Sequence, residues 1–370
     1  MKRIIVAVAM LFVSLALGAR PVRAQPPCPT TGTYVCITPD PTNFPALAAA
    51  LGTTPELLTQ QLTSQVDALF QASNVTSFLR DFQNAQSFSS KGLGVDYASE
   101  ATLAEVGATF SFASNVDKAY RPSGSYTDPP VSGGGANFSL MGGIGLGLIG
   151  IDPVMIFGNW FKGSASLGQL DGNYQNWGLH GQLRLLGPSR SSSATKLFVR
   201  WGGIAITSGA DYSRLSLSTH KQIKSTITVP SQLAGLPGAP VELASDVNGN
   251  LSFELDQKTW SVPLEVTTSL RLLSLFTVYG GFGLDWQLGG GSDMNIVMDN
   301  ATVTNKATGA SLGSVTVHAT GHASPSAARM REIVGVQLSF IDVVRFFVQL
   351  NTTASSPMLT SVALGLRLAI

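Results

Sequence analysis

The sequence has little charge and little cysteine, and after its first two dozen residues it has no long apolar run. Charged residues make up 12% of the 370 residues, against roughly 25% in a typical soluble domain. The formal net charge of +1 lacks the basic excess of a nucleic-acid-binding protein, so we expect no nucleic-acid partner. Hydrophobic residues nevertheless reach 44%, too many for a disordered chain. An apolar, Gly-rich chain without a run of about 18 apolar residues for a spanning helix predicts a β protein with a lipid-facing surface.

Residues 1–24 are typical of a secretory signal peptide. Lys2 and Arg3 precede the apolar run 4–18, and Val22 and Ala24 place small residues at the −3 and −1 positions of a cleavage site. We predict cleavage before Gln25 and export through the signal peptide. An uncleaved anchor helix is the alternative.

Only two cysteines occur, Cys28 and Cys36, and both follow the predicted cleavage site. In an oxidising compartment they would close a small disulfide loop. Lipidation of Cys28 and two free thiols are the alternatives. Two cysteines cannot form a Cys₄ metal site, and we predict no metal site and no cofactor.

The region before residue 99 divides into two parts by pattern. Residues 25–43 are rich in Pro and Thr and predict an extended leader containing the Cys28–Cys36 loop. Residues 44–98 predict an amphipathic helical segment, in which Thr54 before Pro55 starts one helix. A second helix from Asn74 would bury Phe78, Leu79 and Phe82. This segment would be a plug, a periplasmic subdomain or an anchor on the rest of the chain.

Residues 99–370 alternate apolar and polar side chains in strands of about ten residues, long enough to cross a bilayer. Short connections near 150–153, 187–188, 273–274 and 341–343 alternate with polar stretches at 114–136, 168–174, 209–258, 289–328 and 355–358. This pattern predicts an all-β fold, a transmembrane antiparallel up-and-down β-barrel of about ten strands. Alternating runs inside the long polar stretches would be strand extensions above the membrane, or two further hairpins giving 12–14 strands. A soluble sandwich is the alternative.

If the apolar residues face lipid, several charged residues point into the barrel. They would form either a salt-bridge network that fills a narrow lumen or a cationic constriction that selects anions. The predicted lumen charge cluster consists of Arg184, Arg200, Arg271, Arg345, Arg367, Glu265 and Asp285.

The signal peptide, the alternating connections and the final strand Val362 to Ile370 resemble Gram-negative outer-membrane β-barrels as an architectural class. The lead-in Ser90 to Tyr97 followed by a barrel also resembles leptospiral surface adhesins that bind host matrix proteins. The resemblance implies the outer membrane as the location and an adhesin-like role.

The remaining motifs give weaker evidence for a binding or catalytic site. Gly145 to Gly150 fits G-x-G-x-x-G, but a β-run follows instead of the helix that a dinucleotide site needs, so we interpret the glycines as part of a barrel strand. His318 and His322 lack a further ligand for a metal. We predict no catalytic residue, although a site assembled from separate strands stays an open alternative.

We therefore predict an outer-membrane barrel without catalysis that exposes long polar loops, with a surface, adhesin-like or structural role. Its partners would be the lipid bilayer and an extracellular protein bound through the loops. The second hypothesis is a passive channel or transporter for small or apolar solutes, with the N-terminal helices as a hatch.

Overall fold

The structure is a computed structural model, and it describes residues 34–50, 54–56, 59, 75–98, 103–116, 133–187, 199–229, 243–273, 275–306, 308–340, 343–354 and 358–369. Among the described residues, the α-helices with defined bounds are α1 (Asn43–Ala50) and α2 (Val75–Ser89), and a 3₁₀ helix spans Leu146–Ile149. The strands are β1 (Tyr34–Pro39), β2 (Ala104–Asn115), β3 (Gly134–Gly145), β4 (Val154–Leu167), β5 (Leu170–Leu186), β6 (Val199–Val229), β7 (Leu243–Leu272), β8 (Phe276–Asn305), β9 (Ser311–Ala323), β10 (Ala328–Phe340), β11 (Val344–Thr353) and β12 (Leu359–Ala369). None of the described helices is long and apolar enough to cross a bilayer.

Ten strands close into a ring. Consecutive strands from β2 to β8 pair antiparallel, β8 pairs with β10, and β12 pairs with β2 to complete the circuit. Closure leaves no open edge inside the membrane, which is the condition for a sheet to span one. The predicted fold class, a ten-stranded antiparallel barrel, is confirmed.

The ring has apolar residues outside and polar residues inside, the reverse of a soluble barrel. On β12, Val362 and Leu366 are 42% and 48% exposed, whereas Ser361 and Arg367 are 1% and 2% exposed. The same alternation occurs in neighbouring strands, because successive side chains of a strand point to opposite faces. An outward surface of this composition contacts hydrocarbon. Its members include Val106, Phe110, Phe138, Leu140, Ile156, Leu179, Leu264, Val266, Val278, Phe282, Val334, Val336, Phe346, Val348, Leu350 and Leu364.

The barrel is taller on one side than on the other. β8 pairs with β10 over Phe276–Trp286 and then with β9 over Ser292–Thr304. β1 adds to the far edge of β9. The upper parts of β6, β7 and β8, together with β9 and β1, form what we call the outer extension. Since transmembrane barrels place their longer connections outside the cell, this end faces outward, and we call the opposite end the lower end.

One predicted connection differs from the structure. The polar stretch 168–174 was wrongly expected to be a long outer loop: β4 and β5 meet in a tight turn at Gly168, whose φ of +65° suits glycine. The stretches 209–258 and 289–328 contain paired strands, as the strand-extension interpretation predicts. The predicted turn near 187–188 lies partly outside the described residues. Strands above the membrane touch no lipid, so they lose the apolar alternation on which the prediction depended.

The N-terminal region joins the outer extension. The Asp40 carboxylate accepts hydrogen bonds from the amides of Asn43 and Thr42, both at 2.9 Å, and so caps α1. These bonds hold the pKa of Asp40 below its ordinary value. Of the helix predicted from Pro55, only Pro55, Glu56 and Thr59 are described, all as helical.

Two further predictions fall largely outside the described residues. The signal peptide and Cys28 lie there entirely, so the Cys28–Cys36 pairing stays a prediction, with Cys36 placed in β1. The boundaries at 24, 43 and 98 also stay predictions.

Candidate functional site

The candidate site is the barrel lumen, which holds residues Val75–Ala98. We call these residues the lumen segment. α2 lies so close to the wall that an added Cβ at Gly133 would lie 2.2 Å from the Phe82 Cα, and one at Gly135 would lie 2.4 Å from the Gln86 Cα. Only glycine permits this approach of two backbones. The start of β3 is therefore shaped to receive the helix.

Polar side chains attach α2 to the wall. Gln83 Nε2 donates to the Lys258 carbonyl at 2.8 Å, and Gln86 exchanges hydrogen bonds with the backbone of Ala136 at 3.2 and 3.3 Å. Near the outer end, the Ser326 amide donates to Asn84 Oδ1 at 3.2 Å. These bonds satisfy buried polar groups that water cannot reach.

Below α2 the first buried charge cluster joins the lumen segment to β5, β6 and β7. Lys91 Nζ lies 3.2 Å from Asp211 Oδ2, and His180 Nε2 lies 3.1 Å from Asp211 Oδ1. Lys91 also contacts the hydroxyl of Ser261. Each charge is buried, so each depends on its partner for stabilisation.

A second cluster holds the end of the lumen segment. Arg367 Nη1 lies 2.7 Å from Asp96 Oδ1, and Arg345 Nη1 lies 3.6 Å from Asp96 Oδ2. Arg367 also contacts the Val95 carbonyl and lies over the Phe347 ring, with its Cζ 4.1 Å from the ring centroid. The aspartate thus binds two wall arginines at once.

A third cluster is centred on Arg331 in the wall, and Tyr97 of the lumen segment reaches its Glu265. Arg331 Nε donates to Asp285 Oδ2 at 3.0 Å and Nη1 donates to Asn351 Oδ1 at 2.9 Å, while Nη2 contacts Glu265. Arg331 is fully buried. It is the cation that compensates two predicted lumen carboxylates.

The seven predicted lumen residues separate into three groups. Glu265 and Asp285 meet on Arg331, whereas Arg345 and Arg367 meet on Asp96. The remaining three, Arg184, Arg200 and Arg271, are partly exposed near the lower end, and Arg200 and Arg271 are direct cross-strand partners.

Sequence reasoning missed five members of these clusters: Lys91, Asp96, His180, Asp211 and Arg331. Alternation could have found Arg331, because it shares the inward face of β10 with the buried Ile333. The neighbouring Glu332, which is exposed, concealed that pattern by placing charge on both faces. Lys91 and Asp96 carry no local signal, since their partners are remote in sequence.

The histidine motif lies elsewhere. His322 Nδ1 lies 2.7 Å from Asp293 Oδ1 on the exposed face of the outer extension, and His318 lies in β9 opposite Val297. Among the residues that the structure describes, no group of three or more potential ligands could hold a metal ion.

The arrangement is suited to retaining a chain segment. The buried charge clusters join the lumen segment to the wall, and an apolar cluster adds Val95, Tyr97, Met155, Phe157 and Ile333. Residues 83–98 of the lumen segment are buried within the ring.

A model of the Lsa36-like family matches residues 36–370, which include the whole barrel and the described part of the lumen segment. The chain belongs to the Lsa36-like family. The resemblance to leptospiral surface proteins and to outer-membrane barrels, predicted from the sequence, is confirmed at the level of family and architecture. This Lsa36-like barrel is a protein of the outer membrane. No curated protein matches it.

Solved structures with a similar architecture share little sequence with this Lsa36-like barrel. Ail, the attachment invasion locus protein of Yersinia pestis, solved with the heparin analogue sucrose octasulfate, is 9% identical over 72% of this chain and 99% of its own, with a TM-score of 0.23. The outer membrane protease OmpT from Escherichia coli is 11% identical over 72% and 96%, with a TM-score of 0.34. The translocator domain of the autotransporter NalP from Neisseria meningitidis is 11% identical over 77% and 93%, with a TM-score of 0.30. At these scores the similarity concerns architecture alone.

Proposed function

We propose that this Lsa36-like barrel is a closed, non-catalytic surface protein that presents its outer extension for attachment to an extracellular protein. The observation that carries the proposal is the filled lumen. The lumen segment is bonded to the wall at Gln83, Lys91 and Asp96 in turn. A barrel filled in this way is suited to holding a surface outside the membrane, and is poorly suited to conduction.

The path of the chain supports the same proposal. β1 pairs with β9 in the outer extension, Asn84 is bonded near the outer end, and the Ala98 carbonyl accepts from Ser269 near the lower end of β7 at 2.8 Å. The chain thus runs down the lumen before β2 starts upward. Under the proposal, the segment before α1 belongs to the cell-surface part of the protein.

The outer extension has the character of a small soluble domain. Its inner face packs Leu255, Met294 and Ala323 against Leu79 of α2. Its outer face carries charged side chains such as Asp293 and His322, which are 72% and 63% exposed. A stable sheet with a polar face is a suitable platform for binding a protein.

Attachment tests the proposal directly. Cells of a Gram-negative host that display the full chain should adhere to immobilised extracellular-matrix proteins. Replacing residues 230–242, the connection between β6 and β7, with a two-residue turn should reduce adhesion. The matched control shortens residues 188–198 at the lower end, and should leave adhesion unchanged at equal surface amounts. Adhesion no greater than that of the empty host would contradict the proposal.

The hatch hypothesis makes the opposite prediction for conductance. For the lumen to open, the Lys91–Asp211 and Asp96–Arg367 pairs would have to break. In planar bilayers we expect the full chain to be silent, and a Lys91→Met, Asp96→Asn double variant to show intermittent currents. Stepwise currents from the unaltered protein would favour the channel and overturn the closed-barrel proposal.

A further inference from the structure

Four aromatic side chains form a continuous row on the outward surface of β4 to β7. Trp160 pairs directly with Trp177, Trp177 with Tyr212, and Tyr212 with Trp260. The rings of Trp177, Tyr212 and Trp260 contact one another, with centroids 4.9 Å apart for Tyr212 and Trp260 and 5.1 Å apart for Trp177 and Trp260. Such residues mark the depth at which a barrel passes from hydrocarbon to headgroups. We call these four residues the aromatic row.

A row of cations lies directly above the aromatic row. Two residues further toward the outer end, Lys162 pairs with Gln175, Gln175 with Arg214, and Arg214 with Lys258. At about 3.3 Å per residue, these side chains start roughly 7 Å above the aromatic row. Lys162 is exposed, and the Arg214 and Lys258 side chains are 46% and 50% exposed. Lys162, Arg214 and Lys258 are called the basic row below.

One carboxylate partly balances the basic row. Asp256 accepts from Arg214 Nε and Nη2 at 3.0 and 3.2 Å, and its Oδ2 lies 3.3 Å from Lys258 Nζ. Asp256 lies two residues above Lys258 and opposite the exposed Asp293, so the row itself consists of three cations and its carboxylates lie above it. The opposite wall differs: in the described parts of β10 to β12, β2 and β3, Glu332 is the one charged residue that is exposed. Positive charge at headgroup depth is therefore confined to one side of the barrel.

We propose that the basic row binds the phosphate groups of a phosphorylated glycolipid in the outer leaflet, whose sugar and acyl chains rest against the aromatic row. Lys and Arg at this depth attract anionic headgroups, and Arg forms strong hydrogen bonds to phosphate. The apolar surface below the aromatic row faces the acyl chains of the same lipid. The proposal depends on membrane embedding, and not on adhesion or on a closed lumen.

The test compares lipid binding to the full chain and to a Lys162→Gln, Arg214→Gln, Lys258→Gln variant. The control variant carries Lys221→Gln, Lys224→Gln and Lys306→Gln, which remove three exposed cations higher in the outer extension. Each protein is titrated in detergent with a bis-phosphorylated glucosamine glycolipid and followed by native mass spectrometry. A gel-mobility assay of the unheated samples verifies that all three barrels are folded.

We expect the basic-row variant to bind the glycolipid at least about tenfold more weakly than the full chain, and the control variant to bind within about twofold. The unaltered protein should bind the dephosphorylated glycolipid weakly. Its affinity for that lipid should equal the affinity of the basic-row variant for the phosphorylated glycolipid. Equal loss in both variants, or equal binding of both lipids, would overturn the proposal. If inorganic phosphate alone displaces the glycolipid, or if a soluble sulfated polysaccharide binds more tightly than the glycolipid, the proposal is also overturned. The basic row would then be an anion site without lipid specificity.

Discussion

The two halves of β8 have opposite polarity, although they belong to one strand. In the ring, Val278 and Phe282 point outward and are 41% and 61% exposed, while Asp285 is buried in the lumen. In the outer extension, Asp293 is exposed and Met294 and Met298 are buried. The inside of the barrel is thus polar below and apolar above. The surrounding medium explains the reversal, because lipid covers the lower half and water covers the upper half.

A β-bulge accomplishes the reversal in β8. Trp260 pairs with Gly289 but Ser261 pairs with Gln287, so Leu288 is an extra residue without a partner. An extra residue exchanges the faces of everything beyond it. Gly290, with φ +118° and a Cβ position 2.1 Å from the Lys258 carbonyl, makes the bend sterically feasible. β7 achieves the same reversal by composition alone: Glu265 and Leu255 share its inward face.

The largest difference in stability between the two halves should come from removing a buried cation. Arg331→Leu leaves Glu265 and Asp285 uncompensated in the lumen, and we expect a loss of about 3–5 kcal/mol in the free energy of unfolding. Arg214→Leu breaks an exposed ion pair in the upper half and should cost less than about 1 kcal/mol. Urea titration of the barrel in lipid vesicles, followed by gel mobility, measures both. Equal costs would contradict the contrast in environment.

The second-largest difference in stability between the two halves should come from a charge placed on the outward face. Phe282→Arg places a cation in hydrocarbon and should destabilise the barrel by about 2–4 kcal/mol. Asp299→Arg, on the exposed upper half of the same strand, should change stability by no more than about 0.5 kcal/mol. If Phe282→Arg is tolerated in vesicles as well as in detergent, its position does not face lipid.

Truncating the apolar side chain on the inward face tests the upper half itself. Leu255→Ala removes buried contacts with Leu79 and Met294, and should cost the outer extension about 2–3 kcal/mol. The ring should persist, because its closure does not depend on this cluster. Limited proteolysis should cut the upper strands while gel mobility still reports a folded ring. If the upper strands and the folded ring are lost together, the two halves unfold as one unit.

The smallest effect should come from acid. The pKa of Asp40 is lowered by the amides of Asn43 and Thr42, so its carboxylate stabilises the start of α1 at pH values above its unfolded pKa of 3.8. That contribution is lost as the pH falls through the lower folded value. The protection factors of the α1 amides, corrected for intrinsic exchange, should therefore fall below about pH 4, and Asp40→Ala should abolish this fall. Protection factors in the ring strands should stay unchanged.

Sequence alone predicted the ring because lipid imposes a strict pattern on it. Every outward position between Val362 and Leu368 is apolar, and the ten predicted strands correspond to the ten that close. The outer extension lacks that constraint. Gly-, Ser- and Thr-rich strands such as β9 show only short alternating runs, and their pairing with β8 and β1 depends on register between distant segments.

The lumen was harder to predict than its wall. The inward positions of Glu265, Asp285, Arg345 and Arg367 follow from alternation, but their partners do not. Lys91 and Asp211 are 120 residues apart in sequence, and nothing near either one identifies the other. Desolvation makes such buried charges dependent on each other. Alternation in the sequence, however, identifies only the face of the strand on which a residue lies, and not its partner on another strand.

The close approach of α2 to Gly133 and Gly135 has a consequence for assembly. A ring that closed first would have to admit α2 along a wall that leaves no room for a methyl group at Gly133 or Gly135. An order of assembly in which the lumen segment already lies beside β3 when β12 reaches β2 avoids that step. In this order of assembly the ring closes around a segment of its own chain.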